Sequence, residues 1–403
     1  MNLKIGKVDK RLEGKIEITG SKSETNRLLI LQQFYPELTI ENVSNSDDSK
    51  VMQKALKSSE ALVNIGHAGT AMRFLTAYFA IKYGRTTVLT GSERMRNRPI
   101  KILVDALRGL GADISYMEKE GYPPLKIQGG KLEKSRVEID GNVSSQYISA
   151  LLLIGASLPH GLEVHFIGKV TSIPYIKMTL KLLAEIGIEA NWTKDTIKVL
   201  PKKKVAPKTI VVESDWSSAS YYFSYVALSP GSIIQLTSYK SDSMQGDSEL
   251  REIYKNLGVA SSIDGNTLIL KNTGEFHAKA LDGLSLKGAP DIAQTIAVTC
   301  LGLNMPCYLT GLHTLKIKET DRLVALKNEI EKFGAVVDIT EDTLKLIPTP
   351  ELEKGVAVET YDDHRMAMAF APLALRTELE IREAEVVSKS YPTFWADFDE
   401  LMR

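Results

Sequence analysis

The chain is 403 residues long, with 50 Lys and Arg against 50 Asp and Glu, 43% hydrophobic and 25% charged residues; this is the average of soluble globular proteins and excludes disordered and fibrous architectures. Such a length implies two domains of roughly 100–200 residues, each able to bury a core without disulfides or metals. Zero net charge excludes a global nucleic-acid or membrane-surface role, because such binding draws on positive potential, so any anionic partner must be held locally.

The N-terminal stretch MNLKIGKVDKRLEG lacks the continuous apolar region of a signal peptide, and runs such as ISALLLIGASL (148–158) are too short to span a bilayer. A cytoplasmic, reduced protein is expected. The first candidate element is TGSKSETNRLLIL (19–31), where Ser21 and Glu24 have capping-box spacing ahead of an apolar run. Lys22, Ser23 and Arg27 then sit on the first turns of a helix, where unpaired backbone N–H groups and the dipole favour a phosphate or carboxylate. An ordinary capped surface helix fits the same residues. In NIGHAGTAMRFL (64–75) a second helix opens at Gly66 and Gly69, which let a ligand approach the backbone, with Arg73 one turn on. The segment matches neither a P-loop nor a dinucleotide-binding fingerprint. GSERMRNRPI (91–100) alternates Arg94, Arg96 and Arg98, and Pro99 biases Arg98 toward an extended backbone, which would put all three on one face. A solvated charge cluster is the competing reading.

At Gly111 the first of four similar units appears: LVDALRGLGADISY, then LKLLAEIGIEANW around Gly187, LREIYKNLGVASSI around Gly258 and LKNEIEKFGAVVDI around Gly334. The intervals are 76, 71 and 76 residues. Each has an apolar residue just before the Gly and another three residues before that, which is one buried helix face, and a β-rich run after it. Four matches at nearly equal spacing indicate an internal repeat shared between two similar halves. NVSSQYISALLL (142–153) offers Ser144, Ser145 and Gln146 as neutral donors, although a helix cap explains them equally. The Lys-rich PKKKVAPKTI (201–210) is the best candidate for a linker, since Pro and like charges favour solvent.

In the C-terminal half, Asp291 precedes the apolar helix DIAQTIAVTCLGL, where capping alone could account for a carboxylate. Cys300 and Cys307 match neither a zinc spacing nor a redox pair and read as core. KIKETDRLVALK (316–327) places Lys318 and Arg322 four apart on one helix face beside Glu319, YDDHRMAMAF (361–370) adds Arg365, and VSKSYPTFW (387–395) adds Lys389. His364 reads as a structural imidazole beside Asp362 and Asp363 rather than as a general base. Cation-bearing helix starts and candidate carboxylates, without a metal cluster or nucleophilic triad, point to small ligands carrying phosphate and carboxylate groups and to acid/base chemistry between them.

The ordered series GSKSETNR, HAGTAMR, RMRNRP, SSQY, PDIAQT, KETDR, YDDHRMAM and SKSYPTF resembles the motifs of the enolpyruvyl transferases over nearly the whole chain. The resemblance implies an α/β (α+β) fold of two lobes, each of three βαβαββ repeats, with the active site in the cleft between them. It also implies residues 1–19 plus 212–403 as one lobe and 20–211 as the other. The implied reaction joins phosphoenolpyruvate to the 5-hydroxyl of shikimate 3-phosphate with loss of phosphate, on the route to chorismate and the aromatic amino acids. No cofactor, metal, nucleic acid or membrane is implied, and a monomer is expected.

Position by position, Lys22, Ser23, Arg27, Ser144, Ser145, Gln146, Ser172, Tyr175, Asp291 and Lys318 match the shikimate 3-phosphate site. Lys22, Gly69, Arg98, Gln146, Arg322, Arg365 and Lys389 match the phosphoenolpyruvate site. Asp291 resembles the base for the 5-hydroxyl and Glu319 the group that exchanges a proton with the methylene, with Lys22 as the competing assignment. The resemblance further implies that glyphosate competes with phosphoenolpyruvate. Three positions depart from the pattern: His67 where Asn is common, Phe74 where Pro is usual, and Thr314 where Asn often contacts substrate. Alternatives are the family member that acts on UDP-N-acetylglucosamine, disfavoured by KETDR, DHRMAM and the lack of a Cys near RMRNRP, and a non-catalytic phosphometabolite-binding protein, disfavoured by Asp291 and Glu319.

Overall fold

A computed structural model describes residues 1–171 and 173–402. The chain forms two compact units, Gly20–Val212 and Met1–Thr19 with Glu213–Arg403. The first holds two four-stranded sheets. In spatial order, one runs Leu62–Asn64, Thr86–Thr90, Leu125–Gln128 and Asp113–Tyr116, and the other Arg136–Asp140, Leu162–Ile167, Thr196–Val199 and Ala190–Thr193. In both, the leading pair is parallel and the remaining pairs are antiparallel. A parallel pair requires a crossover, supplied by the helices Gly69–Ala80 and Ser145–Gly155. A second helix, Lys101–Leu110 or Ile173–Glu185, then leads into the closing hairpin.

The other unit repeats this scheme twice. Its sheets are Glu13–Ile16, Ile233–Leu236, Thr267–Phe276 and Leu257–Asp264, then Asp282–Ser285, Cys307–Thr310, Thr343–Ile347 and Val336–Ile339. The strand senses are the same. The four glycines of the sequence repeat mark these four hairpins, each with φ in the left-handed region (+107°, +79°, +77° and +92°). Gly258 departs slightly, lying inside its strand where the ladder register shifts. The third repeat of each unit has no closing hairpin. In one unit it is the parallel pair Leu38–Glu41 and Lys208–Val211. In the other it is Val356–Val358 and Leu379–Ile381, with Leu3–Ile5 added antiparallel from the chain start.

The Lys-rich stretch 201–210 is not a linker. The Lys202 N–H donates to the Ala156 carbonyl (2.8 Å), Tyr35 Oη donates to the Lys202 carbonyl (3.0 Å), and Lys208–Val211 is a paired strand. Val212 stays with the same unit, its N–H donating to the Glu41 carbonyl at 3.0 Å. The chain passes between units at Thr19/Gly20 and Val212/Glu213.

Within each unit the leading helices of the repeats pack together: Lys22–Phe34, Gly69–Ala80 and Ser145–Gly155 in one, and Ala293–Gly302 against both Trp216–Leu228 and His364–Phe370 in the other. Ala293–Gly302 and His364–Phe370 are buried at every position. Cys300 and Cys307 are buried in this core. Such helices have no solvent-facing side on which to carry chemistry, and the charged residues Asp291, Asp363 and Arg365 stand at or beside their N-terminal ends, where backbone N–H groups are unpaired.

Candidate functional site

In Gly20–Val212, Ser21 occupies the N-cap of Lys22–Phe34, but its side chain makes no capping hydrogen bond, contrary to the capping-box expectation. Lys22 lies 3.4 Å from the buried Asp48. Arg27 is buried and its hydrogen bonds go to neutral groups: it donates to Thr179 Oγ1 (2.8 Å), the Ser23 carbonyl (2.8 Å), Ser149 Oγ (3.1 Å) and the Tyr175 carbonyl (3.4 Å), with the Glu24 carboxylate acting on it electrostatically. Its guanidinium carbon stands 5.4 Å from the Phe74 ring centroid, so the departure at 74 supplies a cation–π platform. Burial lowers this arginine to about 10.

Arg73 is also buried and lowered to about 10, first by burial and then by the nearby Arg98 cation. It donates to the Gly69 carbonyl (3.1 Å) and the Pro99 carbonyl (3.2 Å), and Tyr147 Oη reaches the latter at 2.6 Å. These bonds fix the backbone that carries Arg98. The three arginines do not share an extended face, because Glu93–Arg96 is a helical turn; Arg96 points to Glu118 on the surface. The Arg98 side chain makes no hydrogen bond or ion pair among the described residues. A Cβ at Gly69 would lie 2.6 Å from Arg98 Nη1 and 3.5 Å from Arg73 Nη1, so two guanidinium groups converge on this glycine. Gln146 Nε2 donates to Thr70 Oγ1 (3.2 Å), tying two helix starts together, and Ser144 caps the helix containing Ser145. His67 Nδ1 pairs with Ser92 Oγ at 2.9 Å. Ser172 lies outside the described residues.

The other unit gathers a denser set. Lys318 is not on the helix of Arg322, which begins at Arg322 itself behind the Asp321 cap, but both reach one carboxylate. Asp291 Oδ1 lies 3.3 Å from Lys318 Nζ and 3.0 Å from Arg322 Nη1, and its Oδ2 lies 3.2 Å from Arg365 Nη2. The helix after Asp291 has Ile292 at its N-cap and no side-chain cap, so capping does not account for this carboxylate. Burial alone would raise Asp291, but Arg365, Lys318 and Arg322 outweigh it and hold the carboxyl well below the usual range. Glu319 bridges Arg322 Nη2 (2.8 Å) and Lys389 Nζ (3.2 Å).

Asp363 completes the grip on Arg322, 2.6 Å from its Nε, while capping the helix that carries Arg365. Sequence reading gives Asp363 no role beyond neighbouring His364, because an Asp at a helix start is ordinary. It also passes over Asp247 and Ser217, which no motif marks. His364 is buried, with Nδ1 3.6 Å from Asp363 Oδ1. The Thr314 hydroxyl is buried without a hydrogen-bond partner among the described residues. Among those residues no group of three or more His, Cys, Asp or Glu is placed to hold a metal ion, and no helix is long and apolar enough to cross a membrane.

The profile of the EPSP synthase (3-phosphoshikimate 1-carboxyvinyltransferase) family matches residues 56–398. Two proteins of Bacteroides fragilis strains named 3-phosphoshikimate 1-carboxyvinyltransferase are 44% and 46% identical, each alignment covering 96% of this chain and 95% of the relative. The chain belongs to the EPSP synthase family. It is accordingly a transferase of the shikimate pathway acting on small molecules. A Sulfurovum relative of the same name is 37% identical over 95% of both chains. Two solved structures share the fold: an EPSP synthase of Acinetobacter baumannii (TM-score 0.79, 21% identity, 99% and 98% coverage) and the enolpyruvyl transferase NikO of Streptomyces tendae (0.75, 13%, 99% and 97%). Lys22, Ser23 and Arg27 lie outside the profile-matched stretch.

Proposed function

We propose that the two constellations serve one reaction, transfer of the enolpyruvyl (carboxyvinyl) group of phosphoenolpyruvate to the 5-hydroxyl of 3-phosphoshikimate. Asp291 takes the hydroxyl proton as the oxygen bonds to the central carbon of phosphoenolpyruvate. Glu319 delivers a proton to the methylene carbon, since that carbon must be protonated for its neighbour to become electrophilic. Returning that proton then breaks the C–O bond to phosphate, which leaves. Lys22 is the competing donor, and exchange of the methylene hydrogens with solvent in Glu319→Gln against Lys22→Ala separates the two.

The observation that carries this is the Asp291 carboxylate held by three cations. In the resting site they make it a weak base. When the substrate carboxylate and phosphate engage Arg322 and Arg365, they offset that pull and the proton affinity of Asp291 rises as the hydroxyl arrives. In the other unit Arg98, Gly69, Lys22 and Gln146 receive phosphoenolpyruvate. Ser23, Ser144, Ser145 and Tyr175 receive 3-phosphoshikimate, with Lys318 adding charge. Arg27 adds charge as well, while its N–H groups hold Ser23 and Tyr175 in place. The chain works as a cytoplasmic monomer in this scheme. Phosphate release from phosphoenolpyruvate with 3-phosphoshikimate, but not with UDP-N-acetylglucosamine, is the expected result; release with the sugar nucleotide alone overturns the proposal.

A further inference from the structure

Ser217 and Asp247 belong to none of the motifs that mark the site, yet they reach into it. We propose that Asp247, acting through the Ser217 hydroxyl, is a positioning residue for Arg365: it holds the guanidinium against Asp291 in the resting site and keeps it aimed when phosphoenolpyruvate arrives. This rests on the assignment of Arg365 to that substrate.

Ser217 stands in the first turn of Trp216–Leu228, the helix that packs beside Ala293–Gly302. Its Oγ accepts from Arg365 Nη2 at 3.3 Å, and the same nitrogen lies 3.2 Å from Asp291 Oδ2. The hydroxyl in turn donates to Asp247 Oδ2. A hydroxyl has one proton, and a carboxylate can only accept, so the Ser217 hydroxyl spends its one hydrogen bond as donor on Asp247 and leaves its lone pairs facing Arg365. The turn that bears Asp247 is anchored to the same helix start. Gln245 Oε1 accepts from the Trp216 N–H (2.9 Å), and its Nε2 donates to the Ser214 carbonyl (3.0 Å). A neutral side chain at 247 could donate to Ser217 instead, turning the hydroxyl proton toward the cation.

The groups facing Asp247 are Asp291, Arg365, Ser217 and Asp215. Burial first, then Asp291 and Asp215, raise its carboxyl to about 7 against the opposing pull of Arg365 and Ser217. Its protonation therefore changes near neutral pH.

The test is steady-state kinetics and thermal melting of the full chain carrying Asp247→Asn, Ser217→Ala, both together, Ser217→Thr, or Arg365→Ala. Asp247→Asn and Ser217→Ala should each raise KM for phosphoenolpyruvate about tenfold, the scale of one hydrogen bond to a charged group, with KM for 3-phosphoshikimate unchanged. The double variant should be no worse than the worse single, and Ser217→Thr should restore wild-type behaviour. The wild type should lose phosphoenolpyruvate affinity as pH falls through about 7, and Asp247→Asn should lack that limb at matched substrate ionisation. Unchanged KM in both singles, additive losses, no rescue by threonine, or equal loss of both substrates with a lowered melting temperature would each overturn the positioning role. Normal phosphoenolpyruvate KM in Arg365→Ala would overturn the assignment of Arg365 itself, whereas a large rise there with normal Asp247→Asn and Ser217→Ala refutes only the role of Asp247.

Discussion

The two units bury arginines in opposite company. In Gly20–Val212, Arg27 and Arg73 are 3% and 4% exposed and hydrogen-bond to carbonyls and hydroxyls, so burial lowers both to about 10. In the other unit burial also pulls down on Arg322 and Arg365, but Asp363, Glu319, Asp291 and Asp247 outweigh it and hold both above the ordinary arginine range. A cation whose hydrogen bonds go to neutral groups keeps most of its desolvation cost, which for Arg27 the nearby Glu24 only partly relieves, and an arriving anion can offset the rest. A cation already matched to carboxylates instead sets the proton affinity of those carboxylates. Under the proposed reaction this difference divides the work: one unit would attract anionic substrates, and the other would poise a base.

The sharpest way to break this division is Asp291→Asn. Turnover should fall by about 10²–10⁴-fold, the usual cost of losing a positioned base. Both ligands should still bind in a titration, because the cations around position 291 remain. Near-normal turnover would place the base elsewhere and leave the carboxylate-rich unit without its chemical role.

Stability separates the units next. Asp363→Ala leaves the buried Arg322 short of a partner, and breaking such a pair costs about 3–5 kcal/mol. Arg27→Met removes a buried charge together with its desolvation cost, and the hydrogen-bond partners it leaves are hydroxyls and carbonyls, so about 1–3 kcal/mol is expected. Denaturant unfolding of both variants reads the contrast, and equal losses would remove it.

Arg98→Ala should weaken phosphoenolpyruvate by about 1.5–3 kcal/mol. It should leave 3-phosphoshikimate affinity and the melting temperature unchanged, since this side chain makes no hydrogen bond or ion pair among the described residues. A drop in stability would show that Arg98 has a structural partner and is not a waiting anion receptor.

Much of this was legible in the sequence, and the gaps have physical causes. The glycines at 111, 187, 258 and 334 exposed four repeats because a left-handed backbone before a hairpin tolerates few other residues. The two abridged repeats end without a hairpin and so carry no such mark. Helix starts at Lys22, Gly69 and Ser145 and just after Asp291 could be read from Ser, Gly and apolar runs, but pairing could not. Lys318 sits on a separate segment from Arg322 and still meets Asp291, and Arg94, Arg96 and Arg98 part company because Ser92 caps a helical turn. The stretch 201–210 looked like a linker because its lysines face solvent, yet its last residues form a strand, which charge does not reveal. Asp363, Asp247 and Ser217 are commonplace residues at helix starts and turns; only the convergence of three helix ends gives them their partners.

The smallest expected effect is the most specific test of the anion-receiving unit. Gly69 opens its helix without a left-handed backbone, so alanine there is free of backbone strain, and the nearest obstacle to its methyl group is the Arg98 guanidinium at 2.6 Å. That obstacle is the far end of a flexible side chain and can turn away, so Gly69→Ala should leave the melting temperature within experimental error. The turn costs an off-rotamer adjustment of about 0.5–1.5 kcal/mol or an equivalent misdirection of the cation, and phosphoenolpyruvate affinity should fall by that amount. If displacement of Arg98 is the whole cause, Gly69→Ala in an Arg98→Ala background should have no further effect. A second, additive loss in the double variant would mean that the methyl group touches the ligand itself, and that the glycine serves the substrate directly rather than by making room for the arginine.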